Sequence, residues 1–188
     1  MPMFISNESE CFTTMKDIYR SPYEAYPFLA DDADDLRCDY ELHTDRLSSE
    51  IGLLRAKCED SPFYEELEKI GELVYHANAC VRTKMTITQE EIDWLKSRVD
   101  ELNAERTNQS GPFFLPQGSE RGALAHILRV DCKVIVRLLY RHLYQGKKVD
   151  SGLLDFFNLL SGYFFMIAMK FNREDDVAEI PFVSRNYR

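Results

Sequence analysis

No glycine occurs before Gly52 in a chain of 188 residues. The first quarter therefore holds no glycine-rich stretch that would let successive backbone amides close on a phosphate. Cations are also short: 23 Lys and Arg face 32 Asp and Glu, a formal charge of −9. That balance disfavours non-specific nucleic-acid or anionic-membrane binding, both of which depend on a basic surface. The five cysteines, Cys11, Cys38, Cys58, Cys80 and Cys132, form no C-x-x-C pair and are odd in number. Neither a disulfide framework nor a zinc site is expected, and a reducing, cytoplasmic setting fits best. No basic segment followed by an apolar run opens the sequence, so no secretory signal is expected. The most apolar stretch, Leu153 to Met169, is interrupted by Asp155 and Asn158 and is short for a membrane span; it reads as a buried helix. Strand alternation and internal repeats are missing.

What remains is helical periodicity. With 45% apolar residues the chain can bury one core. Residues 1–38 lack sustained periodicity and end in the acidic run Asp31-Asp32-Ala33-Asp34-Asp35, an irregular arm whose acids lack the glycine and spacing of a calcium loop. Residues 39–174 read as an antiparallel bundle of five helices, and 175–188 as a tail whose first part packs on it. Leu47, Ile51, Leu54 and Cys58 mark the first helix. Ser61-Pro62 opens the second, which runs through Leu67, Ile70, Val74 and Ala77 to Val81. Thr88-Gln89-Glu90-Glu91 is a capping box, stapled by Ile87 and Ile92, for the third.

The fourth helix follows the loop Leu115 to Gly118, with Ser119 as its cap and Glu120 in its first turn. Leu124, Ile127, Leu128, Ile135, Leu138 and Leu139 form its apolar face. Arg121, Arg129, Lys133, Arg137 and Arg141 recur at multiples of four, and His126 is placed to join them. Such a cationic stripe is either a solvated, ion-paired outer face or a site for an anion, and in an acidic protein the anion is a phosphate chain. Asp131 falls within the apolar stripe and needs a partner, sought here in another subunit. Gln145-Gly146 stops this helix, and Asp150 or Ser151 caps a fifth reaching about Asn172.

Three segments carry a resemblance. Phe113-Phe114-Leu115-Pro116-Gln117-Gly118, then His126-Ile127-Leu128-Arg129 and Cys132-Lys133-Val134-Ile135-Val136-Arg137, resemble a loop ending L-P-G-G followed by L-H-x-A-R-x-x-C-R-R-A-E-R. Asn158-Leu159-Leu160-Ser161-Gly162 with Phe165 resembles N-R-L-S-D-x-x-F, and Asp45-Arg46-Leu47-Ser48-Ser49 resembles D-E-L-N-S. These are signatures of the ATP:cob(I)alamin adenosyltransferases, and the resemblance covers about residues 40 to 182.

The resemblance implies a homotrimer with sites between subunits, and the transfer of the 5′-deoxyadenosyl group of ATP to reduced cobalamin, with magnesium assisting. It implies that Arg129 pairs with Asp45 across a subunit boundary, that Lys133 and Arg137 stand where arginines serve the phosphates, that Asn158 lies near the nucleotide, and that Phe113 faces the corrin. For Phe113 the alternative is ordinary core packing. Departures accompany these matches. The family's T-x-x-G-D-x-G-x-T phosphate loop has no counterpart, Val134 and Val136 replace an arginine and a glutamate, and Leu159 and Gly162 replace an arginine and an aspartate. The expectation is a trimer that binds a nucleotide or nucleotide-like anion between subunits, with weak or lost transfer. The alternative is an active enzyme whose phosphate site is rebuilt from Lys16, Arg20 or other basic residues of the arm.

Overall fold

The computed structural model describes residues 18–105 and 113–186. It separates into a unit over residues 1–32 and a second over 33–188. In the first, residues 18–32 form turns and bends in which Arg20 donates to the Ala30 carbonyl at 3.2 Å and Tyr26 meets Phe28 edge-on.

The second unit is a bundle of five helices: α1 (Leu36–Ala56), α2 (Phe63–Asn78), α3 (Gln89–Ala104), α4 (Glu120–Tyr144) and α5 (Ser151–Glu174). Along the bundle α4 lies between α1 and α5, α2 packs outside α1, and α3 outside α5. Each start has a chemical cause. Asp35 caps α1 by accepting from the Arg37 amide at 3.1 Å, so the helix begins at Leu36, about three turns before Leu47, the first of the periodic apolar residues. Thr88 and Glu91 form the expected reciprocal box at α3, and Ile87 and Ile92 beside it are buried. Ser119 and Asp150 cap α4 and α5 through side-chain oxygens. The second helix stops at Asn78 rather than Val81: the backbone tightens there into turns, the Cys80 amide donating to the Ala77 carbonyl at 3.0 Å, and the Asn78 side-chain Nδ2 ties this end to the Glu41 carbonyl and the Thr44 hydroxyl on α1, each at 2.8 Å.

Leu153, Phe156, Phe157, Leu160, Tyr163, Phe164, Ile167 and Phe171 are buried. Thus α5 is long and apolar enough by composition to cross a membrane, yet its apolar face is occupied by the other helices. Several buried polar groups are paired across the bundle. Tyr163 donates to Glu66 at 2.7 Å and Tyr40 to the Ala77 carbonyl at 2.7 Å, while Arg82 meets the buried Glu41 at 2.6 Å. Such satisfied groups fix which helix lies beside which.

One element departs from the all-helical pattern. Phe113–Phe114 (β1) pairs antiparallel with Pro181–Phe182 (β2), continued by the Leu115 amide donating to the Ile180 carbonyl at 2.9 Å. Two residues per strand are too few for alternation to register in a sequence.

Candidate functional site

The loop before α4 is held by one side chain of α5. Asn172 is 1% exposed; its Oδ1 accepts from the Ser119 amide at 3.0 Å, and its Nδ2 donates to the Gln117 carbonyl at 3.2 Å. Gly118 and Gly122 make room for it: a Cβ on either would lie 2.0 or 2.1 Å from that oxygen, and Gly118 has φ +150°. Arg121 reinforces the clamp by pairing with Asp175 and, at 3.7 Å, Glu174, and by lying over the Phe171 ring. Its place at a multiple of four from Arg129 suggested membership of the cationic row, and this engagement with α5 removes it. Asn172, expected only as a helix end, is the residue that sequence reasoning missed. An asparagine near a helix terminus has several common uses, and only the closeness of two glycines picks out this one.

Arg129 lies between α4 and α5. Its carbonyl accepts from the Ser161 hydroxyl at 3.0 Å, its guanidinium sits 5.9 Å from the Phe165 ring centre, and its Nε is buried without a hydrogen-bond partner. Burial pulls its pKa below the ordinary arginine value. His126 does not join an exposed row. It is 6% exposed and its ring is 6.3 Å from that of Phe165. Burial, then the Arg129 charge, pushes its pKa down to about 4, so it is neutral at pH 7.

Lys133, Arg137 and Arg141 are exposed. No ion pair joins them to a carboxylate among the described residues. Four-residue steps advance about 6 Å along a helix and drift slowly around it, so Lys133 and Arg137 follow Arg129 up one strip of α4. Ile127, expected in the core, is 47% exposed, since it falls on the side of α4 that no neighbouring helix covers. Asp131 finds its partners within the chain, against the expectation of another subunit. Arg46 approaches its Oδ2 at 3.6 Å from α1 and the Glu50 carboxyl lies beside it, while Oδ2 itself has no hydrogen-bond partner among the described residues. Burial, and then Glu50, push the Asp131 carboxyl up to about 6 against the opposing pull of Arg46.

Asp45 is exposed on α1 and enters no ion pair among the described residues. Phe113 is 82% exposed in β1, which disposes of core packing as its role. Asn158 is exposed, donates to the Leu154 carbonyl of its own helix at 2.8 Å, and lines a groove of about 570 Å³ between α3 and α5 with Ile92, Asp93, Val99 and Gly162. Because α4 and α5 are antiparallel and Arg129 meets Ser161, Asn158 lies level with Lys133 along the bundle. No hydrogen bond joins the two. Lys16 lies outside the described residues.

A model of the family described as "Cobalamin adenosyltransferase" matches residues 32–171. The chain belongs to this family. A curated relative, the corrinoid adenosyltransferase of Bacillus subtilis (strain 168), is 28% identical over 160 residues, 80% of this chain and 82% of its own length. Among solved structures, a phenylalanine-to-histidine variant of the PduO-type ATP:corrinoid adenosyltransferase from Lactobacillus reuteri, complexed with cobalamin and ATP, superposes with a TM-score of 0.72 at 20% identity. The match covers 87% of this chain and 97% of that one. An arginine-to-lysine variant of the same enzyme complexed with ATP gives 0.70 at 21%, covering 79% and 88%. For the cobalamin adenosyltransferase fold this agreement is one of architecture. At the family's polar positions the present chain is apolar: Val136 is buried, and Val134 and Leu159 are half-buried.

Proposed function

We propose that the protein is a cobalamin adenosyltransferase-like homotrimer that binds ATP, or a related nucleotide-like anion, in a pocket between subunits, with adenosyl transfer weak or lost. One observation carries this reading: Arg129 and Asp45, on different helices, both lack an ion-pair partner among the described residues, and each is what the other needs. Arg129 is partly withdrawn from water, where an uncompensated charge is costly. A second copy that brings Asp45 to Arg129 relieves this and sets Lys133 and Arg137 at the edge of the resulting pocket, Lys133 toward the phosphates. Asn158, level with Lys133, then borders the nucleotide.

The residues fit an anion better than a resident metal. No group of three or more His, Cys, Asp or Glu side chains is placed to hold an ion among the described residues, so magnesium would arrive on the phosphates it neutralises. The loss of transfer follows from magnitude. Removing one preorganised donor or charge from such a site costs about 3 kcal/mol, roughly a hundredfold in rate, and Val134, Val136, Leu159 and Gly162 replace four polar groups at once. The acidic balance and a cysteine pattern without C-x-x-C pairs support a cytoplasmic protein without nucleic-acid or membrane partners.

The second reading is an active ATP:corrinoid adenosyltransferase, favoured by Phe113, whose exposed ring is free to face a planar macrocycle. Anaerobic incubation with reduced cobalamin, ATP and magnesium, followed by absorbance on formation of the cobalt–carbon bond, separates the two. The proposed function predicts kcat/KM far below about 10⁴ M⁻¹s⁻¹, the lower end of ordinary enzymes. A value at or above that overturns it.

A further inference from the structure

Two carboxyl groups meet at the seam between α1 and α4, and one cation serves them both. Arg46 and Glu50 lie a turn apart on α1, Nε of Arg46 donating to Oε1 of Glu50 at 2.8 Å. The outer end of that guanidinium stops 3.6 Å from Oδ2 of Asp131 on α4, too far for a hydrogen bond. The second oxygen of Glu50, Oε2, and Oδ2 of Asp131 are both buried and have no hydrogen-bond partner among the described residues, although the two carboxyls lie side by side. Two ionised acids and one arginine leave a negative charge in excess, in a place partly withdrawn from water where like charges are poorly screened. A single added proton corrects both faults. It brings the trio to neutrality, and as an O–H on one acid donating to the open oxygen of the other it gives both unpartnered atoms a hydrogen bond.

We propose that Glu50 and Asp131 hold one proton between them and form a proton-operated latch joining α1 to α4, closed while the proton is present and loosened when solvent takes it away. The device belongs to the single chain and does not depend on assembly or on a ligand. Asp131 is the better holder, because Glu50 keeps the hydrogen bond from Arg46 that favours its ionised form. Few groups face Asp131. Arg46 and Glu50 do so from α1; Cys132, next to it on α4, has its thiol pushed up by burial and stays neutral; among the described residues α5 presents it with no charged group. Burial and then Glu50 push the Asp131 carboxyl up to about 6. Unfolded carboxyls titrate near 4, so the folded chain carries the extra proton between about pH 4 and 6, and the stability that it lends is lost as pH rises through 6.

The test follows the side-chain carboxyl carbons of Asp131 and Glu50 by NMR between about pH 4 and 8, in the wild-type chain, Glu50→Gln and Asp131→Asn, together with amide exchange at Ile51 and Cys132. In the wild type both carboxyls should report one shared step near pH 6. Glutamine donates from its amide and so favours an ionised Asp131, whose step should fall by about one pH unit or more. Asparagine stands in for the protonated acid, so Glu50 should lose its step in Asp131→Asn. Exchange, corrected for its intrinsic rate, should quicken about tenfold above the step in the wild type, the scale of one unit of pKa shift, and stay level in Asp131→Asn. An Asp131 step that remains near 6 in Glu50→Gln, or a wild-type Glu50 without a step there, overturns the shared proton. Exchange that does not follow the step overturns the latch.

Discussion

The amide of Asn172 occupies the space in which Gly118 would carry a side chain. A Cβ there would stand 2.0 Å from Oδ1 and 2.4 Å from the carbon and nitrogen of the same amide. Through this relationship the end of α5 sets the course of the loop that leads into α4, and with it the position of β1 and Phe113. Asn172→Ala leaves the buried ends of two hydrogen bonds without partners. It should cost about 3 kcal/mol, a fall in Tm of roughly 10 °C, by differential scanning calorimetry. Gly122→Ala should also destabilise, because its methyl would meet the same oxygen at 2.1 Å, and should do so less in the Asn172→Ala background. Additive losses would mean that the amide is not what constrains the glycine.

Asp131 makes stability depend on pH in an unusual direction. Its carboxyl titrates near 6, raised from 3.8 chiefly by burial, so the folded chain holds a proton there that the unfolded chain has released. That contribution is present below about pH 4 and is lost as pH rises through 6. Asp131→Asn should therefore raise Tm at pH 7.5 by roughly 3 °C, equivalent to about 1 kcal/mol, and the gain should shrink toward pH 4.5. A variant less stable than wild type at pH 7.5 would show that Arg46 outweighs burial.

Much of the bundle is legible in the sequence because its signals are local. The Thr88–Glu91 box, the Ser119 cap and the 3.6-residue periodicity of α4 are each written within a few positions. The misreadings concern relations between distant segments. Asp35 is hidden as a cap inside a run of acids. Ile127 and His126 exchange their expected surroundings because the side of α4 that meets α5 is decided by the crossing of the two helices, which the period of α4 alone does not encode. Arg121 leaves the cationic row for Asp175, a residue 54 positions away. Of the site residues, Arg129 and Asp45 owe their interest to what they lack among the described residues, and a missing partner cannot be read from the sequence of either helix.

The exposed strip of Lys133 and Arg137 should report on anion binding. Lys133→Ala should weaken ATP binding about tenfold, as expected when one charge-assisted contact is removed, and should flatten its dependence on salt. Calorimetry at two ionic strengths provides the check. Unchanged affinity and unchanged salt dependence would place the phosphates elsewhere.

Phe113 separates ligand contact from folding. At 82% exposure its truncation to alanine should change stability by less than about 0.5 kcal/mol, leaving Tm nearly constant. If the chain engages a corrinoid, Phe113→Ala should reduce its affinity for cobalamin in an equilibrium absorbance titration. A large fall in Tm would contradict the position of β1 at the surface.

On the proposed function, the anion site forms between copies of the chain and is closed by Asp45 and Arg129. Native mass spectrometry of the full chain at micromolar concentration, with and without ATP, tests it most directly. The wild-type protein should appear at three times the mass of one chain and take up as many as three nucleotides. Reversing Asp45 or Arg129 alone should release monomers without nucleotide, whereas Asp45→Arg combined with Arg129→Asp should recover part of both assembly and binding. A wild-type monomer, or a monomer that binds ATP as well as any larger species, would contradict the account.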